Sequence, residues 1–289
     1  MVKCQHALSI DVEDWYHPEL IRPHAVEERD SIVVEATQII LKLLERHDVR
    51  ATFFVVGEVA ARHPDLVREI HTAGHEVACH GMSHRPLWDL TPEDLRAELE
   101  AFASIVTPLV GEGSVVGFRA PTFSLDNRTA WAIDVLREFA YQYDSSVFPV
   151  RTPLYGVQDC PSGPYYPSSD DVTKADQAGG FVEFPLPVFR WAWLKIPVGG
   201  GFYLRAMPFR VLVQLLRAIE KRAPFVLYVH PWEMYEEVPR VTLTPLSQLV
   251  SYYNIRGALA KLEGLLRVFA FAPIREVLAG YLPRRGMTT

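Results

Sequence analysis

Short apolar strands alternate with amphipathic helices along most of this chain, and each strand hands over to a polar group at its C-terminal end. That alternation constrains the fold most, because strands joined through helices pair in parallel and must be covered on both faces. Ala7-Leu-Ser-Ile10, Arg50 to Val56, His75 to Cys79, Val115 to Phe118 and Phe225 to Val229 read as such strands, with a short one ahead of Asp144. Helical periodicity fills the intervals. One helix runs from Ser31 to Arg46, capped by Asp30 or Ser31, and a second from Glu58 to Ala73, kinked or divided at Pro64. A third starts behind Thr91 and Pro92 and runs to about Val110, and a fourth begins at Asn127 and ends near Phe139. The pattern predicts an α/β barrel with right-handed crossovers, its chemistry at the face where the strands end.

The rest of the chain differs in texture. From Pro149 to Pro208 it is rich in Pro, Gly and aromatics, including Gly199-Gly200-Gly201, and reads as an elaborated rim with no second core. A helix from Pro208 to Lys221 leads to the last strong strand. Two helical segments, Thr244 to Tyr253 and Ile255 to Val268, are expected to close one side of the barrel. The 289 residues are read as one domain, with a core over 7–232 and a helical C-terminal extension over 240–289.

Composition narrows the partners. A net charge of -6 excludes a nucleic-acid-binding role, and the Arg284-Arg285 pair reads as solvated tail. The three cysteines, Cys4, Cys79 and Cys160, are far apart and odd in number, which favours a reducing compartment over a disulfide framework. No apolar run reaches membrane-spanning length and no signal-peptide core opens the chain, so a cytoplasmic location is expected.

The chemistry centres on His80-Gly81-Met82-Ser83-His84, directly after a strand. Two imidazoles four residues apart can aim at one point and hold a borderline divalent ion, and a carboxylate from elsewhere would complete the set. Asp11, Glu13 and Asp14 at the end of the first strand are the best source. A second pair, His71 and His75, straddles a helix-to-strand turn on the opposite face and is read as a decoy.

Five strand-end groups, Asp11 with Glu13/Asp14, His80-x-x-x-His84, Arg119-x-Pro121, Asp144-Ser-Ser and Leu227-Tyr-Val-His230, come in the order of the motifs of the polysaccharide deacetylases. The chain resembles that family, the NodB-homology group or carbohydrate esterase family 4, over about Ala7 to Trp232. The opening Ile10 to Asp14, the three glycines, His230 to Glu233 and the extension Asn254 to Val277 are most similar to the branch linked to exosortase exopolysaccharide loci. The resemblance implies a distorted (β/α) barrel, a divalent metal, usually zinc, and hydrolysis of an acetamido group on a sugar. It implies Asp11 as general base, His80 and His84 as metal ligands, Arg119 as the residue orienting the base, and His230 as general acid. One departure stands out. The family's usual second aspartate is replaced by Val12, so Glu13 or Asp14 must supply the carboxylate ligand. Glu13 is preferred because side chains two apart on a strand share a face, and Asp14 remains the alternative.

Asp144 is read as orienting or tuning His230, or else as turn chemistry. Trp15, Trp191, Trp193 and Trp232 are candidate sugar platforms. The substrate expected is an N-acetylated sugar of an exopolysaccharide, or of its oligosaccharide or lipid-linked precursor. An allantoinase-like amidohydrolase on a small cyclic amide and a non-catalytic carbohydrate-binding protein are the alternatives. A non-haem iron oxygenase would also use two His and a carboxylate, but on a jelly roll that the strand-helix alternation opposes.

Overall fold

The computed structural model describes residues 5–25, 30–176, 180–191 and 194–282. Cys4, Trp193 and the Arg284-Arg285 pair lie outside the described residues.

The first half builds the strand-helix repeat that the sequence predicts: β1 (Gln5–Val12), α1 (Val33–Arg46), β2 (Thr52–Val55), α2 (Gly57–Arg62), α3 (Pro64–Thr72), β3 (Glu76–Cys79), α4 (Pro92–Val110), β4 (Gly117–Phe118), α5 (Ala132–Glu138) and β5 (Tyr143–Asp144). Pro64 divides the second helical stretch in two, because it occupies the first position of α3 and offers no N–H to continue α2. Thr91 caps α4 through a reciprocal pair, its hydroxyl accepting from the Asp94 amide at 3.1 Å while the Asp94 carboxylate accepts from the Thr91 amide at 2.9 Å.

Two helix starts differ from expectation. Asp30 does not cap α1, and Ser31, one residue before the Ile32 cap position, reaches it only through its hydroxyl, which accepts from the Val33 amide at 3.4 Å. The Ile32 amide donates instead to the Asp14 carboxylate at 3.1 Å, so a residue from the end of β1 fixes the entry to the helix. The α5 helix starts at Ala132, not Asn127, because Asn127 is spent on a loop: its amide group donates to Asp171 and its carbonyl accepts from the Val172 N–H.

The second half adds β6 (Val182–Glu183), β7 (Val188–Trp191), β8 (Leu194–Pro197), α6 (Gly201–Ala206), α7 (Phe209–Glu220), β9 (Val226–Val229), α8 (Pro245–Tyr252), α9 (Ala258–Val268), β10 (Ala270–Ala272) and α10 (Ile274–Tyr281). Within it β7 and β8 form an antiparallel hairpin on the rim. The main sheet runs β10-β1-β2-β3-β4-β5-β6, all pairings parallel, with β9 also on β1. It curls into a half-barrel with helices around it. Along β1, residues 5–7 pair with β10, 7–10 with β9 and 9–12 with β2. The first strand is therefore the hub on which both halves of the chain close.

The rim stretch is not only rim. Val182, Phe184 and Leu186 bury themselves with Phe148, Tyr143 and Phe54, so β6 extends the core past β5. Gly200 lies at φ 149° against β9, where an added Cβ would stand 1.7 Å from the Tyr228 carbonyl oxygen. Only glycine permits that approach, and it seats the rim beside the strand that ends in His230.

Candidate metal centre

Parallel strands that stop in register deliver their next residues to one place. Here β1 ends beside β2, β2 beside β3, and β3 beside β4. Asp11 and Glu13 come off β1, His80 and His84 follow β3, Arg119 follows β4, and His230 follows β9. All but His230 are at most 2% exposed.

Glu13, His80 and His84 place one ligand atom each within 4.8 Å of one another. The Glu13 Oε2 and His84 Nε2 are 2.5 Å apart. His80 is oriented by its far nitrogen, Nδ1 donating to the Arg119 carbonyl at 2.8 Å, which leaves Nε2 as the lone pair free for the centre. Burial pulls the His80 pKa down to about 4, with Asp11 and Glu13 pulling the other way, so the ring is neutral at physiological pH. Burial alone would raise Glu13, yet the His84, His230 and His80 rings overcome it and hold the carboxyl well below its ordinary range. A carboxylate and two imidazoles, converging, with His80 held from behind by the Arg119 carbonyl, form a donor set that suits a borderline divalent cation.

Glu13, not Asp14, joins the histidines. The Glu13 amide donates to the Asp11 carbonyl at 2.9 Å, a tight turn that carries its side chain back toward the Asp11 side. Asp14 points away, its Oδ1 accepting from the Trp15 and Ile32 amides, each at 3.1 Å. It is a loop and helix cap, and burial raises its pKa.

Asp11 sits beside this triad, held by Arg119. The guanidinium donates from Nη1 to Asp11 Oδ1 at 2.6 Å and to Ser9 Oγ at 2.8 Å, and it reaches Ser145 through both Nε and Nη2. It also lies over the Phe54 ring at 4.2 Å. One residue therefore fixes both sides: the Arg119 side chain positions Asp11 and its carbonyl positions His80.

His230 stands across the opening, with Nε2 3.9 Å from Asp11 Oδ2 and 3.6 Å from Glu13 Oε1. Its Nδ1 donates to Glu233 Oε2 at 2.8 Å, and its ring stacks on Trp232. Burial works against the charged ring, but Glu233, Glu13 and Asp11 prevail and raise its pKa to about 9. Glu233 is in turn gripped by the buried Arg205, with Nε 3.0 Å and Nη2 2.9 Å from Oε1, and this holds its pKa down to about 2 against the effect of burial. Arg205 is locked by the Val250 and Tyr253 carbonyls.

The tuning role expected for Asp144 therefore belongs elsewhere. Its carboxylate accepts from the Ser146 hydroxyl and amide at 2.6 and 3.1 Å and pairs with Glu183, not with His230. The Glu233 signal was present in the sequence as a carboxylate three residues after the histidine on a Pro-started turn. Arg205 carried none, since it lies on a separate short helix. Among the tryptophans, Trp232 lines the cavity, and its indole N–H donates to Glu13 at 3.2 Å. Trp15 is buried with its N–H on the Asp30 carbonyl, and Trp191 is 72% exposed on the β7–β8 hairpin, away from the cavity lining. The cavity over the centre holds about 630 Å³.

Comparison with known proteins agrees with this geometry. Residues 29–143 match the polysaccharide deacetylase family, and residues 145–279 match a domain of unknown function, DUF3473. His80, His84 and Arg119 fall in the first match and His230 in the second, while Asp11 and Glu13 precede both. The peptidoglycan-N-acetylglucosamine deacetylase of Bacillus cereus is 32% identical over 103 residues, 35% of this chain and 37% of the relative. The chain thus spans little more than a third of that relative's length. A solved Mycobacterium smegmatis structure assigned to the polysaccharide deacetylases superposes with a TM-score of 0.62 at 19% identity, covering 99% of this chain and 93% of the other. The solved Puue allantoinase superposes with a TM-score of 0.59 at 17% identity, over 94% and 87%. At such identities these likenesses show the NodB-type barrel fold alone. Residues 29–143 thus match the polysaccharide deacetylase family, and the barrel fold and strand-end geometry agree with that match.

Proposed function

We propose that the protein is a metal-dependent hydrolase that removes the acetyl group from an N-acetylated sugar. The observation that carries this reading is the convergence of Glu13, His80 and His84 between Asp11 on one side and His230 on the other. A divalent ion held by those three residues, zinc on the donor chemistry, would polarise an amide carbonyl and acidify water. Asp11, pinned by Arg119, is the base that accepts a proton from the attacking water. His230, kept protonated by Glu233, delivers a proton to the departing amine, without which an amide nitrogen is a poor leaving group. Arg205 holds Glu233 ionised and in place.

The substrate side of the reading is an exopolysaccharide, or its oligosaccharide or lipid-linked precursor. Support comes from the Gly199 to Gly201 seat against β9 and the His230 to Glu233 turn, whose sequences resemble the exopolysaccharide-locus branch. We read 1–289 as one catalytic domain, since strands of both matched segments share β1. A cytoplasmic, reducing location rests on two free buried thiols, Cys79 and Cys160. No helix among the described residues is long and apolar enough to cross a membrane. The open cavity favours a glycan over the small cyclic amide of an allantoinase-like reaction.

The test is acetate release from chito-oligosaccharides. Release that stops with chelator, returns with zinc and is lost in Asp11→Ala supports the proposal. Binding without release in the zinc-loaded protein overturns it in favour of a carbohydrate-binding role.

A further inference from the structure

The cavity over the metal centre is lined in a way that a bare glycan does not explain. Sugars are held by free hydrogen-bonding side chains alongside aromatic faces, because each buried hydroxyl needs a partner. Beyond the metal end, the charged lining here is largely consumed within the protein. Glu19 pairs with Arg22 at 2.6 Å, and Arg205 with Glu233 at 2.9 Å. The Thr152 hydroxyl is tied to the Tyr155 carbonyl at 2.8 Å, and Ser247 accepts from Thr244 at 2.9 Å. Arg151 alone among the charged lining residues has no ion pair among the described residues.

Much of what remains is hydrocarbon, beside the Tyr155, Tyr203 and Tyr228 rings. Leu154 on the loop after β5 and Leu246 on the first turn of α8 both line the cavity, and they are 43% and 69% exposed. Leu20, Phe202 and Val250 belong to the same lining. Exposed leucines scattered singly need no explanation. These five residues, from four separate segments of the chain, instead line one cavity that ends at a cluster of titratable groups.

We infer that this wall is a hydrocarbon subsite, and that the substrate is an acetamido sugar joined to a lipid chain rather than a finished polymer. The inference rests on the deacetylase reading for its sugar end. The sugar occupies the metal end between Asp11 and His230, and the chain lies between Leu154 and Leu246. Each methylene buried there strengthens binding about fourfold.

The experiment uses the zinc-loaded protein with methyl and decyl glycosides of N-acetylglucosamine, both below micelle-forming concentration. Acetate release gives kcat/KM, and calorimetric titration of Asp11→Asn gives Kd without turnover. The decyl glycoside is expected to exceed the methyl by at least about tenfold in both. Leu246→Asp and Leu154→Asp shrink that advantage to less than about threefold, whereas Leu246→Met keeps it. Leu246 is exposed, so its substitution leaves the thermal midpoint in place, which separates a subsite loss from misfolding. Equal values for the two glycosides overturn the subsite while leaving the deacetylase reading intact. Preferential decyl binding with no acetate release from either glycoside does the reverse.

Discussion

Two pairs of buried carboxylates follow strands of the same sheet, and they behave in opposite ways. Asp11 and Glu13 leave β1, and Asp144 and Glu183 leave β5 and β6, all four at most 2% exposed. Burial penalises ionisation in both places. At β1 three imidazoles and Arg119 surround the acids, and Glu13 is held ionised. At β5 and β6 the acids face each other, Ser146 and the Val147 amide, and burial pushes both pKa values up. The first pair therefore has charge to offer a cation and opens onto a cavity. The second is pushed toward its neutral form by burial and joins the core. Depth alone does not make a site, and the partners decide.

The largest expected effect falls on the first pair. Glu13→Gln or His84→Ala removes a ligand and lowers deacetylation by at least about a thousandfold, because several kcal/mol of electrostatic help depends on the ion. Activity within tenfold of wild type would erase the contrast. Asp11→Asn comes next, with a loss of about a hundred- to ten-thousandfold in kcat while metal content is retained. Loss of the metal along with activity would make Asp11 a ligand rather than a base.

Glu233→Gln sharpens the comparison from a third position. His230 acts as a proton donor, so activity falls as pH rises through its pKa, which Glu233 helps to hold at about 9. Without that carboxylate the alkaline limb of the rate profile moves to lower pH, with a loss of about tenfold at pH 8. A limb that stays in place would remove Glu233 from the mechanism.

The smallest effect is expected at the second pair. Glu183→Gln leaves activity within about threefold, since its carboxylate reaches only Asp144 and the Val147 amide. Its signature lies in stability. A carboxyl whose pKa is raised on folding stabilises the fold below its ordinary value and loses that contribution as pH rises toward the folded value. Thermal midpoints should therefore fall less between pH 5 and pH 8 in Glu183→Gln than in the wild type. A steeper fall in the variant would contradict the raised pKa of Glu183.

Much of the site was legible because a parallel sheet converts strand ends into neighbours. Asp11, His80, Arg119 and His230 lie at or directly after strand ends, with His84 four residues beyond His80, and the structure gathers them. The choice between Glu13 and Asp14 was legible only in part: the two-residue period favoured Glu13, but a turn after Val12 seats it, and Asp14 is claimed by the start of α1. Asp144 misled because an acid after a strand carries the same sequence signal whether it faces the cavity or another acid. Arg205 stayed hidden since its partner arrives from a distant turn. The strands β6 and β10 are two and three residues long, too short for any periodicity to mark them.

The central claim is that Glu13, His80 and His84 grip one divalent ion, and metal stoichiometry tests it directly. Zinc content after loading and desalting should be one per chain in the wild type and in Asp14→Asn, and near zero in Glu13→Gln. Full occupancy in Glu13→Gln together with loss in Asp14→Asn, or no retained metal in the wild type, would contradict the account.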